Sequence, residues 1–164
     1  MQTYCAEIFT FVDSTALISK LNLWEERDKA ITVGYEKLNN EVLSEVSVDP
    51  EAKIGAKSNK KFWYGFKKHV DMQSGMITKV AVTSANVSDS DGAKHILPRS
   101  GAVTGDKGFI GAIGEMLRRG LHPMIIKRNN MKDKNTDLDK WISKLRDPYE
   151  YSVNKISVCV TEVL

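Results

Sequence analysis

The sequence predicts an α/β or α+β fold built on a mixed sheet, and three observations support this class. Residues 7–15 are rich in β-branched and aromatic side chains and predict a buried strand. Two alternating segments, residues 60–70 and 76–83, flank turn residues at 71–75 and predict an antiparallel hairpin. Residues 101–106 then predict a third strand, so strands dominate the first two thirds of the chain.

Later in the chain, strands and helices alternate. Residues 113–117 carry apolar side chains at helical spacing and end at a basic turn followed by Gly120, which predicts a helix. Residues 122–127 predict a fourth strand, and residues 138–145 predict another helix. Asp147-Pro148 has the pattern of a helix start and predicts a separate final helix.

A helical segment is expected between the first strand and the hairpin. Apolar residues recur every three or four positions over residues 17–46, which predicts two amphipathic helices or one helix broken near Val33-Gly34. Asp49-Pro50 ends this acidic region. Ser88 can cap a further short helix that Pro98 stops.

Composition favours one domain over residues 1–164, because 164 residues with 41% hydrophobic content can bury a core without disulfides. No apolar run is long enough to cross a membrane, and the start lacks the pattern of a signal peptide. We therefore expect a cytoplasmic protein without a membrane partner. Cys5 and Cys159 are too few and too far apart for a disulfide framework or a metal-ligand motif.

Charge is distributed unevenly along the chain. Residues 1–52 carry 4 Lys+Arg against 10 Asp+Glu, whereas residues 53–164 carry 20 against 11. The net charge of the first part is therefore −6 and that of the rest is +9. This asymmetry suggests a face that meets a polyanion, although a basic surface is also common in proteins that bind nothing acidic.

Three acidic residues stand out by their local context. Asp13 interrupts an apolar strand, Asp106 ends another, and Glu150 lies in a late helix. Carboxylates brought together by a sheet and a helix repel one another, and Mg²⁺ or Mn²⁺ is the usual compensation. Each residue also has an ordinary explanation, as a strand-end acid, a turn aspartate or a helix-capping glutamate.

Five short motifs resemble the DDE catalytic domain of transposases from bacterial insertion sequences. They are Val12-Asp13-Ser14-Thr15, Phe62-Trp63-Tyr64-Gly65-Phe66-Lys67, Ala85-Asn86-Val87-Ser88-Asp89, Gly105-Asp106-Lys107-Gly108-Phe109 and Arg146-Asp147-Pro148-Tyr149-Glu150. The resemblance follows the family order from about Phe11 to Tyr151. It implies a ribonuclease-H-like mixed sheet flanked by helices, here with a helical insertion after the first strand.

The resemblance also implies roles for single residues. Asp13, Asp106 and Glu150 would be the catalytic residues and the ligands of Mg²⁺ or Mn²⁺, with two ions expected when DNA is bound. Arg146, one helical turn before the glutamate, would hold a DNA phosphate. The family usually has a basic residue two turns after the glutamate, where this chain has Ser157.

Basic residues near these motifs are candidates for DNA contact. The candidate set is Lys57, Lys60, Lys61, Lys67, Lys107 and Arg146. The lysines of the predicted hairpin, together with Lys68, can equally form a solvated edge that discourages strand addition.

The resulting hypothesis is a transposase that cleaves and joins double-stranded DNA at the ends of an insertion sequence and in target DNA, close to the nucleoid. A homodimer on DNA is compatible with it. Because the resemblance implies a DNA-binding region before the first aspartate and a basic helix after the glutamate, the chain is expected to be a partial domain. The alternatives are an inactive transposase remnant that at most binds DNA non-specifically, and a nuclease that cleaves without joining.

Overall fold

The computed structural model describes residues 9–19, 40–58, 61–131 and 136–161, and these form the mixed α/β fold that the sequence predicts. The strands are β1 (Phe9–Ile18), β2 (Lys53–Ser58), β3 (Lys61–Gln73), β4 (Met76–Ser84), β5 (Ala102–Gly105) and β6 (His122–Ile125). The helices are α1 (Asn40–Val46), α2 (Asp89–Ala93), a 3₁₀ helix (Lys107–Ala112), α3 (Ile113–Arg118) and α4 (Thr136–Thr161).

Six strands form one mixed sheet. The order is β2-β3-β1-β5-β6, with β4 paired to β3. Strand β5 runs parallel to both β1 and β6, whereas β2 and β3 are antiparallel. Helices connect the parallel strands, as such crossovers require. A mixed sheet with flanking helices is consistent with the ribonuclease-H-like fold expected from the sequence.

The predicted hairpin is confirmed, with a tighter turn than expected. Strand β3 continues through Asp71 to Gln73, and only Ser74 and Gly75 form the turn, with φ of 51° and 82°. Two consecutive positive φ values are typical of a type I′ turn, whose twist matches that of paired strands. Asp71 was predicted as a turn residue, but it is fully buried in the strand.

The chain divides into two compact units, and the first contains both predicted catalytic aspartates. It comprises Met1–Ser14, His69–Ala81 and Asp89–Leu164. One apolar cluster of this unit joins Val12 of β1 to buried residues of α2, α3 and the 3₁₀ helix. A second cluster joins Phe11 to Val70 and Met72 of β3 and to side chains of α4. Neighbouring residues of β1 therefore face two different layers of helix.

The second unit comprises Thr15–Lys68 and Val82–Ser88. Its core contains Leu43, Ala52, Ile54 and Tyr64. Strand β2 was not predicted, because Lys53–Ser58 has a single β-branched residue, Ile54, and no aromatic residue to identify it as a strand. It depends on pairing with β3, in which Gly55 lies opposite Trp63. A Cβ on Gly55 would lie 2.6 Å from the Trp63 ring, so the small residue allows the indole to cover the strand.

The predicted helical insertion is confirmed at its C-terminal end by α1. The predicted start of this insertion at Leu17 is wrong, because Leu17 and Ile18 are the last residues of strand β1. The predicted break near Val33-Gly34 lies outside the described residues.

The prediction of a separate final helix is wrong, as helix α4 shows. Instead of a separate helix starting at Asp147-Pro148, one helix runs from Thr136 to Thr161 with Pro148 inside it. Asp147 is therefore not an N-cap, and the capping explanation of Glu150 is wrong. An internal proline removes one backbone hydrogen bond and costs about 3 kcal/mol, so packing of α4 has to offset this cost.

Within the described residues, no helix is both long and apolar enough to cross a membrane.

Candidate active site

Asp13 lies within β1, and Asp106 directly follows the neighbouring parallel strand β5, so the explanation of Asp13 as a strand-end acid is wrong. The register pairs Phe11 of β1 with Thr104 of β5. Asp106 follows β5 with extended backbone angles, φ −77° and ψ 179°. Asp13 and Asp106 each come two residues after the last paired residues of these strands, Phe11 and Thr104.

Side-chain alternation decides which layer these aspartates face. Phe11 packs in the cluster that includes Leu145 and Tyr149 of α4, whereas Val12 packs in the opposite cluster. Because side chains alternate along a strand, Asp13 lies on the same face as Phe11. That face of the first unit is the one covered by α4.

Each aspartate is held by a backbone amide close by in the chain. Asp13 Oδ1 accepts a hydrogen bond from Ser14 N at 2.9 Å. Asp106 caps the 3₁₀ helix, and its Oδ1 accepts from Gly108 N at 2.8 Å. The turn role expected for Asp106 is therefore present in the structure. A carboxylate has about four acceptor positions, so this role leaves room for a cation.

Asp89, the first residue of α2, is a third carboxylate at this place. Its Oδ1 accepts from Ser14 Oγ at 2.8 Å. Its Oδ2 and Oδ1 of Asp106 both lie 2.9 Å from the position that a Cβ on Gly108 would take. Asp89 Oδ2 and Asp106 Oδ1 are therefore separated by at most twice 2.9 Å. Asp89 lies in one of the five sequence motifs, but sequence reasoning gave it no role.

Glu150 lies in the interior of α4, and its side chain is outside the described part of the structure. The preceding residue, Tyr149, stacks on Phe11 with ring centroids 4.0 Å apart. Since Phe11 is two residues before Asp13, α4 crosses β1 close to the first aspartate. The helix continues through Glu150 to Thr161.

Arg146 precedes Glu150 by one helical turn and is only 8% exposed. The side chain of Glu150, one turn further along the helix, lies outside the described part of the structure. The phosphate-binding role of Arg146 therefore stays a prediction.

The candidate DNA-contacting lysines differ in their surroundings. Lys107 is exposed and directly follows Asp106. Lys67 donates to the Val87 carbonyl at 2.8 Å, and its Nζ lies 5.9 Å from the Trp63 ring centroid. Lys68 is buried, and desolvation lowers the pKa of its ammonium group. Lys67 and Lys68 therefore do not form the solvated edge considered from the sequence.

The remaining candidates, Lys60 and the side chains of Lys57 and Lys61, lie outside the described residues.

The donor chemistry suits a hard divalent cation. Asp13 and Asp106 offer carboxylate oxygens, which Mg²⁺ and Mn²⁺ prefer over nitrogen or sulfur. Among the described residues, no group of three His, Cys, Asp or Glu side chains is arranged to hold a metal. The side chain of Glu150, the third expected ligand, lies outside the described residues.

Comparison with known proteins adds one match. The model of a family described as transposase DDE domain matches residues 38–157, well over half of the chain. This range includes Asp106 and Glu150, while Asp13 lies before it. No curated protein and no solved structure matches the chain.

Proposed function

Because the chain belongs to the family of transposase DDE domains, we propose that it cleaves and joins DNA strands during transposition of an insertion sequence. One observation supports the catalytic part of this proposal: β1 and β5 pair in parallel with Phe11 opposite Thr104, and Asp13 and Asp106 follow these two residues at equal distance along the chain. Carboxylates on neighbouring strands, next to a helix with a third carboxylate, would suit metal-dependent phosphoryl transfer.

The proposed ligands are Asp13, Asp106 and Glu150, holding two Mg²⁺ or Mn²⁺ ions with DNA bound. Such ions supply an activated water or 3′-hydroxyl and stabilise the leaving oxygen of in-line displacement. The protein contributes the fixed spacing of its carboxylates. The amides of Ser14 and Gly108 orient the carboxylates of Asp13 and Asp106, so these groups do not need to reorganise during the reaction.

The proposed substrate is double-stranded DNA, at the element ends and in the target. Arg146 would bind a phosphate bidentately, and the burial of its guanidinium would strengthen this contact. Lys107 is exposed beside Asp106 and would contact the backbone close to the reacting phosphate. Binding through phosphates does not require a particular base sequence. A homodimer on DNA remains compatible with this proposal.

A cleavage assay with labelled element-end DNA and Mn²⁺ tests the proposal. We expect strand cleavage by the wild-type chain and a loss of at least about a hundredfold in Asp106→Ala, because a metal ligand is removed. Asp137→Ala is the matched control, since Asp137 is exposed at the start of α4. Identical products from wild type and Asp106→Ala would refute the proposal.

The same assay separates the alternatives. An inactive remnant would bind DNA in a salt-sensitive manner without any cleavage that depends on Asp13. A nuclease would cleave but leave no joined products when a target duplex is present. A transposase gives both Asp13-dependent cleavage and joined strands.

A further inference from the structure

We propose that Asp89 is a positioning residue that ties together the two segments carrying Asp13 and Asp106. Its effect on catalysis rests on the proposed function, whereas its effect on the local structure does not. Asp89 lies at the first position of α2, outside both strands that carry the aspartates. It contacts the residue that follows Asp13 and approaches the turn that follows Asp106.

The first contact is with the β1 segment. Ser14 donates its side-chain hydroxyl to Asp89 Oδ1 at 2.8 Å and its backbone amide to Asp13 Oδ1 at 2.9 Å. One residue therefore bonds to both carboxylates. If the hydroxyl contact is lost, Ser14 and the Asp13 carboxylate that it orients lose an attachment to α2.

The second connection, to the turn after Asp106, is made by Ser90, the residue that follows Asp89. Gly108 N donates to Asp106 Oδ1, while Gly108 O accepts from Ser90 Oγ at 2.8 Å. Asp89 Oδ2 lies 2.9 Å from the position of a Cβ on Gly108. The N-terminal turn of α2 therefore lies directly against the peptide unit that holds the second aspartate.

Helix α2, which makes these contacts, packs closely against the rest of the first unit. Gly92 packs so closely on the buried His69 ring that a Cβ there would lie 2.0 Å from the imidazole. Ala93 is fully buried in the larger apolar cluster of this unit. Because α2 packs against His69 of β3 and in the apolar core, Asp89 can hold the segments that carry Asp13 and Asp106 in place.

Such an attachment would keep the proposed metal ligands in position, because the negatively charged carboxylates of Asp13 and Asp106 repel each other. Asp13 lies in β1 and Asp106 directly follows the neighbouring strand β5, so repulsion between their carboxylates would move the two segments apart when no cation is bound. The bonds between Ser14 and Asp89 and between Ser90 and Gly108 attach both segments to the first turn of α2 and oppose this movement. The ligands are then preorganised before the metal arrives.

Four variants test the proposal: Asp89→Ala, Asp89→Asn, Ser14→Ala and the double variant Ser14→Ala/Asp89→Ala. Asparagine keeps an oxygen that can accept from Ser14 Oγ, whereas alanine removes it. Asp91→Ala is the matched control, because Asp91 lies on the same helix and pairs with Lys94 at the surface. Three quantities are measured: amide hydrogen exchange of residues 106–112, Mn²⁺ affinity, and kcat and KM for DNA cleavage.

We expect Asp89→Ala to speed amide exchange over residues 106–112 about tenfold and to weaken Mn²⁺ binding about tenfold to a hundredfold. kcat should fall by a similar factor while KM for DNA stays the same. Ser14→Ala should reproduce part of this effect, the double variant should be no worse than Asp89→Ala, and Asp89→Asn should restore most of it. Asp91→Ala should match the wild type.

Two results would overturn the proposal. Unchanged exchange and Mn²⁺ affinity in Asp89→Ala would show that the residue holds nothing in place. Equal impairment in Asp89→Asn and Asp89→Ala would show that its charge, and not its bond to Ser14, matters. If the wild type does not cleave DNA, the proposed function fails, and the exchange and Mn²⁺ data still decide on Asp89.

Discussion

The rings of Phe11 and Tyr149 stack with their centroids 4.0 Å apart and 15° between their planes. Phe11 lies two residues before Asp13 in β1, and Tyr149 immediately precedes Glu150 in α4. The stack thus fixes the backbone next to Glu150 against the strand that carries Asp13. It connects two segments that are far apart in the sequence and that the proposed metal site requires together.

Tyr149→Ala should therefore destabilise α4 and weaken the metal site. Loss of a partly buried aromatic ring and its stacking partner costs about 1–3 kcal/mol of unfolding free energy. Tyr149→Phe keeps the ring and is the control. Urea unfolding and Mn²⁺ titration measure the two effects, and equal behaviour of the two variants would show that the stack does not hold the helix.

Gly108→Ala should damage the site with little effect on the rest of the fold. The added methyl group would lie 2.9 Å from Oδ1 of Asp106 and Oδ2 of Asp89, so the carboxylates must shift. We expect at least about tenfold weaker Mn²⁺ binding. Gly114→Ala is the control, because a Cβ there meets nothing within 4 Å and should stabilise α3 by about 0.5–1 kcal/mol. Wild-type Mn²⁺ affinity in Gly108→Ala would contradict the described geometry.

Gly92→Ala should destabilise the first unit through His69. The new methyl group would overlap the buried imidazole, and such overpacking typically costs about 1–3 kcal/mol. Urea denaturation of Gly92→Ala, His69→Ala and the double variant measures the coupling. Removal of the ring should relieve the clash, so additive effects of the two substitutions would contradict it.

Lys107→Ala should weaken DNA binding more than Lys67→Ala. Lys107 is exposed beside Asp106, whereas Lys67 already donates to the Val87 carbonyl. If Lys107 neutralises one phosphate, its loss lowers the slope of log affinity against log salt by about 1. Binding to a labelled duplex at several salt concentrations measures this slope. A larger change of this slope in Lys67→Ala than in Lys107→Ala would contradict the assignment of Lys107 as the phosphate-contacting residue.

Sequence patterns predicted the sheet and the positions of Asp13 and Asp106 because these depend on local signals. An acid in a β-branched run, and an aspartate at the end of a short apolar segment, are visible without knowledge of the fold. The parallel pairing of β1 with β5, which relates the two segments to each other, is visible only in the structure.

Other features depend on tertiary contacts and could not be predicted in this way. Strand β2 has weak strand propensity and forms because it pairs with β3. Pro148 indicated a helix start, but packing of Leu145 and Tyr149 on β1 holds one continuous helix through it. Sequence reasoning gave Asp89 no role, and only its contact with Ser14 reveals its position next to Asp13.

Asp13, Asp106 and Glu150 are the proposed ligands of the divalent metal that DNA cleavage requires. The most direct test is a Mn²⁺ titration in the presence of a DNA duplex, in which electron paramagnetic resonance measures the bound Mn²⁺. Asp13→Asn, Asp106→Asn and Glu150→Gln should each weaken Mn²⁺ binding at least about tenfold, while Asp137→Asn should bind like the wild type. Wild-type affinity in Asp106→Asn would contradict the claim.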